Sequence, residues 1–184
     1  NVWNNGLVLG DVARIPPETH SAMRGTWVQS GDVLLNITGA SIGRCALVPE
    51  TFDAANVSQH VAILRLIDKR LRYFLHLCVI SPFFQDTIMR VQVGVSREGL
   101  AMTRLREFAF PVPPLAEQRR IVSKVDELMR LCDELEGRVK RKREARERLS
   151  AAALDRLLAA QTPAEFAAHW QRICDHFDLL YDAP

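Results

Sequence analysis

The chain has 184 residues, 48% hydrophobic and 25% charged, and its 24 basic and 22 acidic side chains leave a formal net charge of +2. That composition excludes global disorder, and nine glycines with nine prolines exclude a collagen-like or low-complexity protein. Apolar runs such as Cys45–Val48 and Cys78–Ile80 are far shorter than the roughly 20 residues of a membrane span.

The chain begins at Asn1 with no basic stretch leading into an apolar one, so a fragment or processed chain without a secretory signal is expected. Cys45, Cys78, Cys132 and Cys174 form no CxxC pair and read as free thiols in a reducing cytoplasm.

Residues 1–114 carry short β-like runs broken by turn residues. Leu7–Leu9 and Val12–Ile15 read as strands, the second ended by Pro16-Pro17. Ser30-Gly31-Asp32 is a turn signal before a strand at Val33–Ile37. Gly39 and Gly43 bracket a tight connection to the next strand, Cys45–Val48, and Val61–Leu66 is a third. Leu71, Phe74, Leu75, Cys78 and Val79 recur at helical spacing until Ser81-Pro82 stops the run. Phe83–Val91 reads as a second helix, Gly94–Gly99 as a loop, and Phe108–Val112 as a last strand closed by Pro113-Pro114. The predicted class is α+β: a β-rich domain over 1–114, a long helix over 115–160 and a short helical tail over 161–184.

The long helix has no proline and a single glycine, Gly137. Ile121, Val125, Leu128, Cys132, Leu135 and Val139 repeat in alternating steps of four and three, a heptad seam for pairing with another helix. Continuing that register places Lys142 and Arg146 on the seam, then Leu149 and Ala153. The small net charge conceals segregation. Arg138, Lys140, Arg141, Lys142, Arg143, Arg146 and Arg148 face only Glu144 and Glu147 within 138–148. Such a stretch could track phosphates, pair with an acidic partner or be solvated. In the tail, Thr162-Pro163-Ala164-Glu165 fits a capping box, and Phe166, Trp170, Ile173, Cys174, Phe177 and Tyr181 share one face of a helix.

No catalytic constellation emerges. Gly39-Ala40-Ser41-Ile42-Gly43 lacks the ending of a phosphate-binding loop, so its glycines serve a turn. His169, Cys174 and His176 have no second cluster to complete a metal site. His60, beside a strand, reads as a half-buried histidine with a satisfied ring. Arg44, Arg90, Arg97 and Arg104 punctuate the turn-rich segments, and arginine suits bidentate contact with phosphate or guanine. Ser41, Gln59, Gln92 and Thr103 add neutral hydrogen-bonding groups.

The junction is the most specific feature. Phe110-Pro111-Val112-Pro113-Pro114-Leu115-Ala116-Glu117-Gln118-Arg119-Arg120-Ile121-Val122 resembles the "PLPPLAEQxxIV" signature of the DNA-specificity subunits of type I restriction–modification systems. The segment Gly31–Arg44 resembles that family's "GDxLxxxxGxxIG" segment, Asn56–Val61 its next strand entry, and Leu128–Glu136 its helix. The junction also has its own physics. Two prolines force an extended exit and block helix before Leu115, and Glu117 sits in the first turn, where the helix dipole favours an acid.

The resemblance implies a non-catalytic DNA-binding protein that reads half of a split double-stranded site. It implies two recognition domains and two antiparallel spacer helices per subunit, so this chain resembles a half-subunit or C-terminal section with an N-terminally truncated domain. The second helix would come in cis or by homodimerisation. Modification subunits with S-adenosylmethionine, and a restriction subunit with ATP and Mg, would carry the chemistry; none of these cofactors is expected on this chain. DNA contact is expected from Ser41, Arg44, Gln92, Arg97, Thr103 and Arg104. Two alternatives stay open: the recognition tail of a single-chain restriction–methyltransferase, and a coiled-coil assembly module without DNA contact.

Overall fold

The computed structural model describes residues 1–4, 6–92 and 99–181. It divides into two compact units, residues 1–124 and 125–184.

The first unit opens with a small antiparallel pair, β1 (Val2–Trp3) and β2 (Gly6–Leu7). Helix α1 (Pro17–Ala22) and strand β3 (Trp27–Val28) follow. Next come β4 (Val33–Asn36), β5 (Cys45–Leu47), β6 (Ala55–Asn56) and β7 (Val61–Leu64). β3 pairs with β6, and β5-β4-β7 form the central antiparallel sheet. Its register sets Leu35 between Cys45 and Ala62, and Val33 between Leu47 and Leu64.

β4 is apolar without alternation because both of its faces are buried. Val33 and Leu35 pack with Val79, Ile88, Leu100 and Leu105 on one side; Leu34 packs with Val2, Ala46 and Val48 on the other. The first face is covered by α2 (Arg72–Ile80), α3 (Pro82–Gln92) and the short α4 (Met102–Leu105). Burying one such side chain contributes about 1.5–3 kcal/mol. Cys45 is inside this core, and burial pushes its thiol up to about 12. All four cysteines are free, and Cys132 and Cys174 are exposed. Thiolate is the reactive form. Ellman titration of the native chain is therefore expected to modify Cys132 and Cys174 rapidly and Cys45 only on unfolding.

Several expected elements differ. Only Leu7 of Leu7–Leu9 joins a strand. Val12–Ile15 forms none: Val12 and Ile15 are exposed, and Pro16 is the N-cap of α1, which the pattern did not announce. Phe108–Val112 is not a strand. Its alternating aromatics pack sideways, with Phe110 stacked on Phe84 at 4.3 Å and Phe108 5.9 Å from the same ring. Pro111 has no N–H to offer a ladder.

Helix α5 (Leu115–Leu158) has 44 residues and starts as expected after the prolines. In the second unit its seam is open: Leu128, Leu135 and Val139 are 49%, 59% and 68% exposed. The basic stretch is stitched along the helix by Arg138–Glu134, Arg143–Glu147 and Arg148–Glu144 pairs. The tail is two helices, α6 (Pro163–Asp175) and α7 (Phe177–Tyr181), where the sequence pattern predicts one; the chain turns at His176. The capping box forms, with Thr162 accepting from the Glu165 N–H and Glu165 reaching back to the Thr162 N–H. Ile173 is buried with Leu157 and Leu180, whereas Phe166, Trp170, Phe177 and Tyr181 are exposed.

Of the last seam positions that a strict heptad names, the tail covers Ala153 and leaves Leu149 open. Ala153 and Leu157 pack against it, and Ser150 donates to the Leu180 carbonyl at 2.9 Å, while Leu149 is 52% exposed. A straight helix drifts about 20° per heptad from a 3.5-residue repeat. Eighteen residues make about five turns, so Leu157 returns to the face of Val139. The chain's own tail thus closes the stripe that stays open from Val125 to Val139.

Candidate nucleic-acid interface

The candidate interface lies at one end of the central strand β4. The Ile37 N–H donates to the His60 carbonyl at 2.9 Å, and the Leu100 N–H donates to the Ile37 carbonyl at 2.7 Å. Thr38 bridges Gly99. These bonds hold residues 38–44, 58–60 and 99–104 at the same sheet end.

The first segment is a tight turn. Gly39 (φ +69°) and Gly43 (φ +84°) adopt a backbone region that L side chains rarely occupy. The Asn36 N–H donates to the Arg44 carbonyl at 2.8 Å, and the Gly43 N–H donates back to the Asn36 carbonyl at 2.9 Å. Gln85 of α3 clamps the turn by donating to the carbonyls of Gly43 (2.9 Å) and Val79 (2.8 Å). A Cβ on Gly43 would lie 2.5 Å from the Gln85 Oε1. Ser41 is half-buried in this turn. The Arg44 guanidinium lies over the Trp3 ring, 3.9 Å from its centroid, a cation–π contact that holds the side chain extended.

Thr103 and Arg104 are exposed on α4, immediately after the Thr38–Gly99 bridge. Arg104 donates to Glu107 at 3.2 Å. It also borders an open cavity of about 490 Å³ floored by Phe84 and Phe108. Gln92 closes α3, and Arg97 lies outside the described residues. The structure therefore brings Ser41, Arg44, Thr103 and Arg104 toward one sheet end.

The Gly31-Asp32 pair anchors the same sheet from its other end. Gly31 takes φ +82°. Asp32 is buried and accepts from the Gln29 N–H at 2.7 Å and from Arg65 Nε and Nη2 at 2.8 and 2.7 Å. Arg65 also donates to the Trp27 carbonyl at 2.7 Å, and its bond to Asp32 holds the guanidinium charged. Breaking a buried pair costs about 3–5 kcal/mol, and a half-solvated arginine moves that to the lower end. Asp32→Ala is expected to destabilise the first unit by about 3 kcal/mol in urea unfolding.

At the junction, Gln118 is buried in the first turns of α5 and donates to the Pro113 carbonyl at 2.7 Å. Its Oε1 has no hydrogen-bond partner among the described residues. Arg120 pairs with Glu117 and holds its carboxyl below the usual range.

Sequence reasoning missed Trp3 as the platform for Arg44, Gln85 as the clamp and the setting of His60. His60 is exposed, not half-buried, and its Nδ1 lies 2.6 Å from the Thr38 Oγ1. No local pattern marks contacts between residues so far apart in the chain.

Residues 24–144 match the family model of the type I restriction modification DNA specificity domain. With well over half of the chain matched, the protein belongs to that family. It is similar to three Escherichia coli proteins. The type I restriction enzyme EcoBI specificity subunit is 30% identical over 138 residues, covering 74% of this chain and 29% of that protein. The EcoEI specificity subunit is 32% identical over 123 residues, 66% of this chain and 20% of the relative. The EcoAI specificity subunit is 41% identical over 71 residues, 39% and 12% respectively. The chain matches less than a third of the length of each. Among the described residues no helix is long and apolar enough to cross a membrane, and no three His, Cys, Asp or Glu side chains are grouped to hold a metal ion.

Proposed function

We propose that this chain is the recognition part of a cytoplasmic DNA-specificity subunit in a type I restriction–modification complex, reading one half of a split double-stranded target. The observation that carries this reading is the convergence of residues 38–44, 58–60 and 99–104 at one sheet end, inside the region matched to the DNA specificity family. Ser41, Arg44, Gln92, Arg97, Thr103 and Arg104 are the proposed contact residues. The exposed Arg104 and the half-buried Arg44 suit phosphate oxygens or the paired acceptors of guanine.

In this reading the chain contributes recognition and no catalytic group. S-adenosylmethionine belongs to modification subunits, and ATP with Mg to a restriction subunit. The open stripe of α5, Ile121 to Val139, pairs with a second spacer helix, in cis or from another copy. Exposed apolar side chains at heptad spacing support that role.

The test is selection from a random duplex pool by the full chain, with and without its modification subunit. A recurring half-site, with affinity falling steeply as salt rises, is the expected result. Random sequence in both conditions would leave an assembly module without specific DNA contact.

A further inference from the structure

His60 sits between the two segments that bring the arginines to the sheet end. Its backbone is fixed, because its carbonyl accepts the Ile37 N–H at 2.9 Å. Its ring is fixed too, because Nδ1 lies 2.6 Å from the Thr38 Oγ1. Thr38 is in turn pinned by its bridge to Gly99. A Cβ on Gly99 would approach the Thr38 methyl to 3.3 Å, a tight contact, so the two segments run close together at this bridge. Among the described residues, Nε2 of His60 has no hydrogen-bond partner and no carboxylate pairs with the ring. An exposed imidazole held at one nitrogen and unused at the other is arranged to bond something outside the chain.

We propose that His60 is a base-reading residue of the DNA interface, with Thr38 as the positioning residue that orients its ring. This rests on the DNA-recognition reading above and adds to it a contact that specifies sequence. The Thr38 hydroxyl can donate or accept. When it donates to Nδ1, Nε2 carries the proton and donates outward to N7 or O6 of guanine, N7 of adenine or O4 of thymine. When it accepts from Nδ1–H, Nε2 accepts from the amino group of adenine or cytosine. Phosphate offers only acceptors and carries no sequence information, so the two kinds of contact separate experimentally.

The experiment is pool selection and affinity measurement with the full chain and its modification subunit, comparing the parent with His60→Ala, Thr38→Val and Thr38→Ser. His60→Ala is expected to relax the preference at one base pair by about tenfold or more and to leave the other positions unchanged. Thr38→Val should relax the same position less, and Thr38→Ser, which keeps the hydroxyl, should restore it. Thermal melting reports folding of each variant separately. An unchanged preference in a folded His60→Ala chain, while the parent still selects a half-site, overturns the assignment and spares the DNA-recognition reading. A uniform loss of affinity across all sequences makes His60 a phosphate contact and also overturns it. A parent chain that selects nothing removes both.

Discussion

The L128K/L135K chain is expected to lose helix pairing almost completely while its first unit melts as in the parent. Leu128 and Leu135 are 49% and 59% exposed in the chain alone, on the stripe that includes Val125, Cys132 and Val139. Full burial of one leucine is worth about 1.5–3 kcal/mol, and about half of each side chain is left for a partner to bury, so the two substitutions remove about 1.5–3 kcal/mol per helix. In a two-fold pairing each change is made on both helices. Lysine is the informative replacement because the next turns are already basic: Arg138, Lys140, Arg141, Lys142 and Arg143 follow within two turns. Glutamate at the same sites would gain attraction from that stretch and blur the result. Lysine keeps helix propensity close to that of leucine, so α5 itself should persist by circular dichroism. Light scattering should show at least a hundredfold weaker association in self-pairing. Unchanged association would mean that another face of the helix pairs.

The tail makes that surface finite. Leu157, one five-turn period beyond Val139, is covered by Ile173 and Leu180 of the same chain. A partner helix following the stripe toward the C-terminus meets this cluster and must stop before it. Between the stripe and the cluster the heptad register carries Lys142 and Arg146 before the exposed Leu149, so the apolar surface is interrupted by charge before it reaches the tail.

Much of this architecture is legible in the sequence where the cause is local. Val33–Asn36 follows a Gly-Asp turn and opens with three consecutive apolar residues, so its strand and its burial on both faces are readable together. The start of α5 is readable because Pro113 and Pro114 forbid any other place for it. The Thr162 capping box is readable because both of its partners lie within four residues. What is not legible depends on partners distant in the chain. The alternation at Phe108–Val112 is a real burial signal, but its partner is Phe84, not a strand, and alternation does not say which. His60 beside Val61 suggests a half-buried ring, yet it lies at the strand's open end, where only the register with Asn36 and Thr38 reveals its neighbour. The heptad count finds Ala153 but misses Leu157 in the last turns of α5 for a third reason: small differences between 3.5 and 3.6 accumulate over a helix this long. Of the proposed contact residues, Ser41 and Arg44 lie in the turn that the glycines announce, whereas Thr103 and Arg104 lie on the short helix α4, which the pattern does not predict. Their convergence is a fact of the sheet.

Phe84→Ala is expected to destabilise the first unit by about 3–5 kcal/mol, the cost of deleting a buried phenylalanine. Phe84 is 3% exposed, stacks on Phe110 at an interplanar angle of 17° and lies within 6 Å of Phe108. Its position makes the loss more than a cavity. Residues 108–112 have no strand ladder, so the two aromatic contacts do the work that backbone hydrogen bonds do elsewhere in the sheet. This is the last segment before α5 begins. With the ring removed, the polar tethers of this stretch include the Phe108 N–H bond to the Leu105 carbonyl at 3.3 Å and the Gln118 bond to the Pro113 carbonyl at 2.7 Å, each worth about 1 kcal/mol net. Urea unfolding should therefore show a lower midpoint, and native-state cleavage by chymotrypsin at Phe108 and Phe110 should accelerate well beyond the change in global stability. Phe84→Leu keeps most of the volume and should lie between the parent and Phe84→Ala in both measurements. A Phe84→Ala chain with parental cleavage at these sites would place the anchor of this segment in its hydrogen bonds to Leu105 and Gln118 rather than in the aromatic stack.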